Sequence, residues 1–170
     1  GRDRFYLDPG HMAPMLYSQL CLTGKFSLEE LAQLRQWGSP TTGHPEFEIA
    51  RGVENTSGPL GQGHVFAVGA AIAAKFLAAH TGNPTFAKET IYAYISDGGI
   101  QEEISQGGAR IAATLGLDNL IMFYDSNDIQ LSTETKEVMT EDTAAKYRAL
   151  GWEVIEIVGN DAAQIRQALD

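Results

Sequence analysis

The stretch that decides the fold is TIYAYISDGGIQEE, residues 90–103. Its apolar run ends at Ser96 and is followed at once by Asp97 and two glycines. A short continuous apolar run bounded by turn residues is typical of a strand that is buried on both faces. We therefore expect a buried strand whose carboxyl end carries an aspartate.

Further apolar runs, separated by predicted helices, follow toward the end of the chain. Two more apolar runs, NLIMFYDS at 119–126 and WEVIEIV at 152–158, are predicted to be strands. Helices are predicted over 102–115, over 140–151 with Thr140 as its cap and Gly151 as its stop, and over 161–170. Alternating helices and continuous apolar strands predict an α/β fold, with a parallel β-sheet and helices on both faces. In such a sheet, ligands bind beyond the carboxyl ends of the strands.

The first half of the chain is predicted to be helical, with one long connection. Helices are expected over 12–24, 27–38 and 64–80, ending at Gly24 and Gly38 in the first two cases. Ser27 and Glu30 have the spacing of a capping box. The helix over 64–80 is almost wholly apolar or small and is expected to be deeply buried. Residues 38–63 are rich in turn residues, and a connection of that length is typically functional or disordered.

Composition limits the class of protein. The chain has 170 residues, of which 44% are hydrophobic and 20% are charged, which predicts one globular domain over 1–170. The net charge of −10 argues against binding to nucleic acid or to an anionic membrane. The single cysteine, Cys21, excludes an internal disulfide. We interpret it as a structural thiol and expect a reducing, cytoplasmic location.

Polar residues follow the first two predicted strands of the second half. Asp97 ends one strand and Asn127 follows the next, thirty residues on. A carboxylate, an amide oxygen and a backbone carbonyl would form a set of hard oxygen ligands for Mg²⁺ or Ca²⁺. The N–H groups of Gly98 and Gly99 would then approach a phosphate. The alternative is a plain turn in which the aspartate only caps a helix.

The loop NTSGPLGQGH, residues 55–64, is a second candidate. It lacks the lysine of a Walker loop, and no strand precedes it as in a dinucleotide fingerprint. Two interpretations stay open, because the loop could hold a ring through backbone contacts or form only a tight helix entry. Among the histidines, His11 and His44 lie in loops and are functional candidates, whereas His64 and His80 are interpreted as structural.

Several segments of the sequence together resemble one known family. These segments are GHMAPMLYS at 10–18, TTGHPE at 41–46, NTSGPLGQG at 55–63, SDGGIQEEIS at 96–105 and FYDSND at 123–128. In this order and spacing they are similar to transketolase. The similarity is to its amino-terminal domain, which binds the diphosphate end of thiamine diphosphate. Three positions depart from the family pattern, with Ser96 and Glu103 in place of glycines and Gly107 in place of a second acid at the subunit interface.

The resemblance implies a role for specific residues of this chain. For the cation, the implied ligands are Asp97, Asn127 and the carbonyl of Ile129. For the diphosphate, the implied contacts are Gly98 and His11. Gly58 and Leu60 are implied at the pyrimidine end of the cofactor, and Leu131 near the thiazolium. Those implied at the substrate or the partner are His44, and also His11, facing substrate hydroxyls, and Glu102 at the subunit interface.

The resemblance also implies an activity. Transketolase moves a two-carbon ketol unit from a ketose phosphate to an aldose phosphate as a homodimer. The pyrimidine-binding domain, on the same or the partner chain, would complete the site. We therefore expect this chain to be a piece truncated at both ends and inactive alone. The rival hypotheses are another thiamine enzyme, such as a deoxyxylulose-phosphate synthase or a split transketolase, and a non-catalytic binding module of the same fold.

Overall fold

The centre of the computed structural model, which describes residues 2–170, is a three-stranded parallel sheet. The strands are β1 (Arg4–Leu7), β2 (Ile91–Ser96) and β3 (Leu120–Asp125), in the order β1-β2-β3. Both neighbouring pairs are parallel. The predicted buried strand over 90–96 is therefore the middle strand of the sheet.

Helices and a small hairpin surround this sheet. The helices are α1 (Ala13–Leu22), α2 (Leu28–Ala32), α3 (Gln62–Thr81), α4 (Pro84–Ala87), α5 (Asp97–Gln101), α6 (Glu103–Leu115), α7 (Thr143–Leu150) and α8 (Ala162–Leu169). Strands β4 (Ile129–Gln130) and β5 (Thr133–Glu134) form an antiparallel hairpin after β3.

Both faces of the sheet carry helices, as predicted. On one face Ile91 and Ala93 pack with Ala67 and Val68 of α3 and Ala112 of α6. On the other face, the buried cluster belongs to β1, α1 and the segments near them, and its members are Leu7, Ala13, Leu16, Tyr17, Phe26 and Val53. The half-buried thiol of Cys21 packs at the edge of this second cluster, which fits a structural role.

Helix α3 is buried on one side only, so the expectation that it is deeply buried was wrong. Its small residues, such as Ala67 and Ala71, face the sheet, whereas Phe66 and Phe76 are exposed. By length and a mean hydropathy of 1.3, it is the one helix in residues 2–170 that would also pass as a membrane span. Because it packs on β1 and β2 as a layer of the domain, we describe it as a core helix with one open apolar face.

The strands differ from the sequence prediction in two places. β1 was not predicted, because a run of four residues is too short to show a clear period. The segment 152–158 was predicted to be a strand, but it pairs with no strand in residues 2–170. Its side chains do alternate, since Trp152 and Val154 pack into the core while Ile155 is exposed. The apolar period is thus present without a hydrogen-bonded partner strand.

Two helix ends also differ from the prediction. The capping box of Ser27 and Glu30 is present, but α2 ends at Ala32 and not at Gly38. After α2 the chain continues in short turns to Arg35, which adopts the left-handed conformation with φ of 64° and donates its N–H to the carbonyl of Thr41. In α7 the N-cap is Asp142, whose side chain accepts from the N–H of Ala145, and not Thr140.

The long connection over 38–63 is ordered and is attached to β1. The side chain of Asn55 accepts from the N–H of Leu7 at 3.1 Å and donates to its carbonyl at 3.0 Å. Ser57 donates to the same carbonyl at 2.7 Å. Asn55 therefore occupies the place of a neighbouring strand at the outer edge of β1, and it holds the glycine-rich loop beside the sheet.

Candidate functional site

All three strands of the sheet end at an aspartate. Asp8 follows β1, Asp97 follows β2, and Asp125 is the last residue of β3. Since the strands are parallel, these residues lie along one side of the sheet, here called the carboxyl edge. Asp8 and Asp97 are buried, with 0% and 2% of their surfaces exposed. Buried carboxylates need partners, so their contacts show what the edge is built for.

The structure brings Asp97 and Asn127 into contact. The backbone N–H of Asn127 donates to Oδ2 of Asp97 at 3.3 Å. The Asn127 side chain closes a local turn, accepting from the N–H of Ile129 at 3.1 Å and donating to Asp125 at 3.3 Å. The three residues predicted as metal ligands are thus adjacent, and their role as ligands stays a prediction.

Tyr124, which sequence reasoning missed, completes the surroundings of Asp97. Its hydroxyl donates to Oδ1 of Asp97. Burial and the hydrogen bond to this carboxylate raise the pKa of Tyr124 to about 12, so the phenol stays neutral and remains a donor. The only signal in the sequence was a tyrosine directly before the aspartate that ends β3.

Leu131 lies in a different environment from the other candidates. It is in the turn between β4 and β5 with φ of 47°, and its side chain is fully exposed. Ile129, in β4, is also largely exposed. Because its side chain is fully exposed to solvent within residues 2–170, its predicted place near the thiazolium stays a prediction.

The two glycine-containing loops meet at the carboxyl edge. A Cβ built on Gly98 would lie 3.0 Å from Cδ1 of Leu60, and one built on Gly61 would lie 2.7 Å from Cβ of Glu102. The loop over 55–63 therefore packs directly on the segment that follows β2. Leu60, Gly98 and Glu102, three of the predicted residues, are brought together by this packing.

Asp8, which sequence reasoning missed, contacts both the end of the glycine-rich loop and the segment that follows β2. Its Oδ1 accepts from the N–H of Gly63 at 2.9 Å and from that of His64 at 3.4 Å, at the start of α3. Its Oδ2 lies 2.3 Å from the position of a Cβ on Gly99. Burial raises the pKa of the Asp8 carboxyl. Asp8 thus requires a glycine at position 99, and the approach of the Gly99 N–H to a phosphate stays a prediction.

The histidines fall into two environments. A Cβ on Gly10 would lie 2.5 Å from Cδ2 of His44, and Gly58 lies on the same ring, so the first loop, His44 and the glycine-rich loop form one cluster. His44 and His11 are both exposed. His64, by contrast, is fully buried and its Nδ1 is 2.8 Å from Oγ of Ser105, which fits a structural role.

Comparison with known proteins identifies the family. The model of the family described as "Transketolase, thiamine diphosphate binding domain" matches residues 1–170. The chain belongs to the transketolase family. Among curated relatives, the transketolase of Staphylococcus epidermidis is 45% identical over 171 residues, covering 99% of this chain and 26% of that protein. The transketolase of Mycobacterium leprae is 47% identical over 169 residues, covering 95% and 24%.

Solved transketolases have the same fold. The structure of transketolase from Campylobacter jejuni has a TM-score of 0.93 and 40% identity, and covers 98% of this chain and 26% of that one. Transketolase from Leishmania mexicana gives a TM-score of 0.91 and 40% identity, with 98% and 26% covered. The chain thus spans about a quarter of the length of these transketolases. It has the thiamine diphosphate-binding fold that the sequence predicted.

The residues at the carboxyl edge of this transketolase domain fit a hard divalent cation. Residues 2–170 contain no group of three or more His, Cys, Asp or Glu side chains suited to a metal, and the predicted set uses only one such side chain. A carboxylate has about four lone-pair sites, so the donors from Tyr124 and Asn127 leave acceptor capacity on Asp97. Asp97 with neighbouring amide and carbonyl oxygens is a donor set suited to Mg²⁺ or Ca²⁺.

Proposed function

We propose that this domain holds thiamine diphosphate through a divalent cation at the carboxyl edge, as part of an enzyme that transfers a two-carbon ketol unit between sugar phosphates. One observation carries the proposal. The buried carboxylate of Asp97 contacts the Asn127 turn at the point where Leu60 of the glycine-rich loop packs on Gly98. The residue proposed to bind the cation and two loops with bare backbone therefore lie together at one edge, which supports the proposal.

Different residues of the site would bind the cation, the diphosphate and the rings of the cofactor. Asp97, the Asn127 side chain and the Ile129 carbonyl would hold the cation, which would anchor the diphosphate beside Gly98 and His11. Gly58, Leu60 and Leu131 would hold the rings of the cofactor. When bound, thiamine diphosphate supplies the carbanion chemistry, and the protein supplies binding and orientation.

His44 and His11 are the residues of this chain proposed to act on the substrate. Both are exposed at the carboxyl edge, and His44 packs on Gly10 and Gly58 beside the glycine-rich loop. An imidazole there would hydrogen-bond the hydroxyls of a sugar phosphate and orient them. Positioned acid–base groups of this type typically contribute about 10²–10⁴ in rate.

The proposed partner is a second copy of the enzyme, whose pyrimidine-binding domain would cover the cofactor. Helices α3 and α6 leave open an apolar groove of about 330 Å³, here called the α3–α6 groove, lined by Val65, Val68, Gly69, Ile72, Ile104, Gly107, Gly108 and Ile111. Ile104 also contacts the site, since its Cγ2 lies 2.9 Å from the position of a Cβ on Gly61. A subunit seated in the groove would therefore lie next to the glycine-rich loop and Glu102.

Calorimetry with thiamine diphosphate tests the proposal. We expect weak binding in Mg²⁺ or Ca²⁺ and none in EDTA. The residues proposed to hold the diphosphate include no lysine or arginine, so its negative charge would be balanced by the cation. A comparison of the two cations shows which one the site prefers. Equal binding with and without metal would contradict the role of the carboxyl edge. We expect no ketol transfer from xylulose 5-phosphate by these 170 residues alone, and measurable turnover would refute that expectation.

A further inference from the structure

The carboxylate of Asp97 is held from two sides. Its Oδ1 accepts from the hydroxyl of Tyr124, and its Oδ2 accepts from the N–H of Asn127 at 3.3 Å. The Asn127 bond comes from the backbone of an exposed turn. The Tyr124 bond comes from a side chain that lies on β3 and is half-buried.

The position of the Tyr124 hydroxyl is fixed by the sheet and the core. Tyr124 pairs with Ile95 in the parallel register of β2 and β3, two residues before Asp97 in the neighbouring strand. Its ring packs on the buried cluster formed by Ile95, Ile100, Ala109 and Tyr147. A donor held by the register and by packing cannot move away from Asp97 without disturbing the core.

We propose that Tyr124 is the positioning residue that orients the Asp97 carboxylate for the cation, by holding Oδ1 and directing the remaining acceptor capacity toward the Asn127–Ile129 turn. This inference rests on the proposed function, since it assumes that Asp97 binds a metal. Residues that orient a metal ligand through a hydrogen bond typically change metal affinity by about 10- to 100-fold when they are removed.

The variant Tyr124→Phe isolates the hydroxyl. It keeps the ring in the core and removes the hydroxyl that donates to Asp97. Tyr147→Phe is the matched control, because Tyr147 belongs to the same cluster and the hydroxyl that donates to Asp97 is that of Tyr124, not that of Tyr147. The measurement is a Mg²⁺ titration by calorimetry at a fixed, saturating concentration of thiamine diphosphate, with thermal unfolding of each protein recorded in EDTA.

We expect Tyr124→Phe to weaken Mg²⁺ affinity by about 10- to 100-fold. Thiamine diphosphate binding should recover at high Mg²⁺, and Tyr147→Phe should keep the original Mg²⁺ affinity. If the unaltered chain itself shows no metal-dependent binding, the proposed function fails and the inference with it. If it binds Mg²⁺ and Tyr124→Phe binds equally well, the inference alone is overturned. If Tyr124→Phe is already unfolded in EDTA before heating, the inference is also overturned, because the hydroxyl is then needed for the fold.

Discussion

Gly99 and Asp8 are packed so closely that a single added carbon would not fit between them. A Cβ on Gly99 would lie 2.3 Å from Oδ2 of Asp8 and 2.7 Å from Cγ1 of Ile95. Asp8 in turn accepts from the first N–H groups of α3. The contact therefore joins the ends of β1 and β2 to the start of α3, and it sets the spacing of the loops that carry the candidate site.

Gly99→Ala tests this contact. We expect it to lower the free energy of unfolding by about 1–3 kcal/mol, because the added methyl group must push apart a buried carboxylate and a core side chain. Chemical denaturation followed by circular dichroism measures the change. Gly107→Ala is the control, since a Cβ at this helical position meets open space and alanine favours a helix by about 0.5–1 kcal/mol. Equal effects of the two variants would contradict the packing argument.

Asn55→Ala tests the attachment of the long connection to the sheet. The change removes two hydrogen bonds to the backbone of Leu7 and leaves a buried N–H without a partner. An unsatisfied buried group costs about 1–3 kcal/mol, so we expect a loss of about that size in the free energy of unfolding. Ser57→Ala removes only one bond to the same carbonyl and should have the smaller effect. The reverse order would show that Asn55 does not replace a strand.

The buried His64 predicts how stability depends on pH. Burial lowers the pKa of His64 from 6.5 to about 4. Between these two pH values, His64 is therefore protonated in the unfolded chain and neutral in the folded chain. The free energy of unfolding should therefore fall as pH drops from 6.5 to 4, by about 1.4 kcal/mol per pH unit. Denaturation across this range should show a flatter dependence for His64→Gln than for the unaltered chain. The exposed His80 supplies the control, and an effect of His80→Gln as large as that of His64→Gln would contradict the assignment.

Ile111→Glu tests the α3–α6 groove as a subunit interface. A charge in the apolar groove should oppose the seating of a second copy, so we expect the dimer population seen by sedimentation to fall at least about tenfold. Leu22→Glu is the control, because Leu22 is an exposed apolar residue on α1, outside the groove. Equal changes in association for both variants, or no self-association of the unaltered chain, would contradict the role of the groove as a subunit interface.

The parts of the fold that the sequence predicted are those with a strong local signal. β2 and β3 were visible as continuous apolar runs, and the pairing of Asp97 with Asn127 followed from the parallel sheet. The capping box of Ser27 and Glu30 was visible because its two residues are three positions apart.

The parts that were missed depend on contacts between distant residues. Tyr124 reaches Asp97 through the register of two strands, and Asp8 reaches Gly63 and Gly99 only once three elements have packed. No local pattern encodes either contact. The segment 152–158 shows the opposite case, because it has the apolar period of a strand but pairs with none in the described residues.

The measurement that tests the central claim most directly is calorimetric titration of thiamine diphosphate into the chain and into Asp97→Ala, each in Mg²⁺ and in EDTA. The unaltered chain should bind only with Mg²⁺, and Asp97→Ala should weaken that binding by at least about tenfold, or ~1.4 kcal/mol. Asp118→Ala, at an exposed aspartate before β3, should bind as the unaltered chain does. Equal binding by Asp97→Ala and the unaltered chain in Mg²⁺ would contradict the assignment of the carboxyl edge as the cation and diphosphate site.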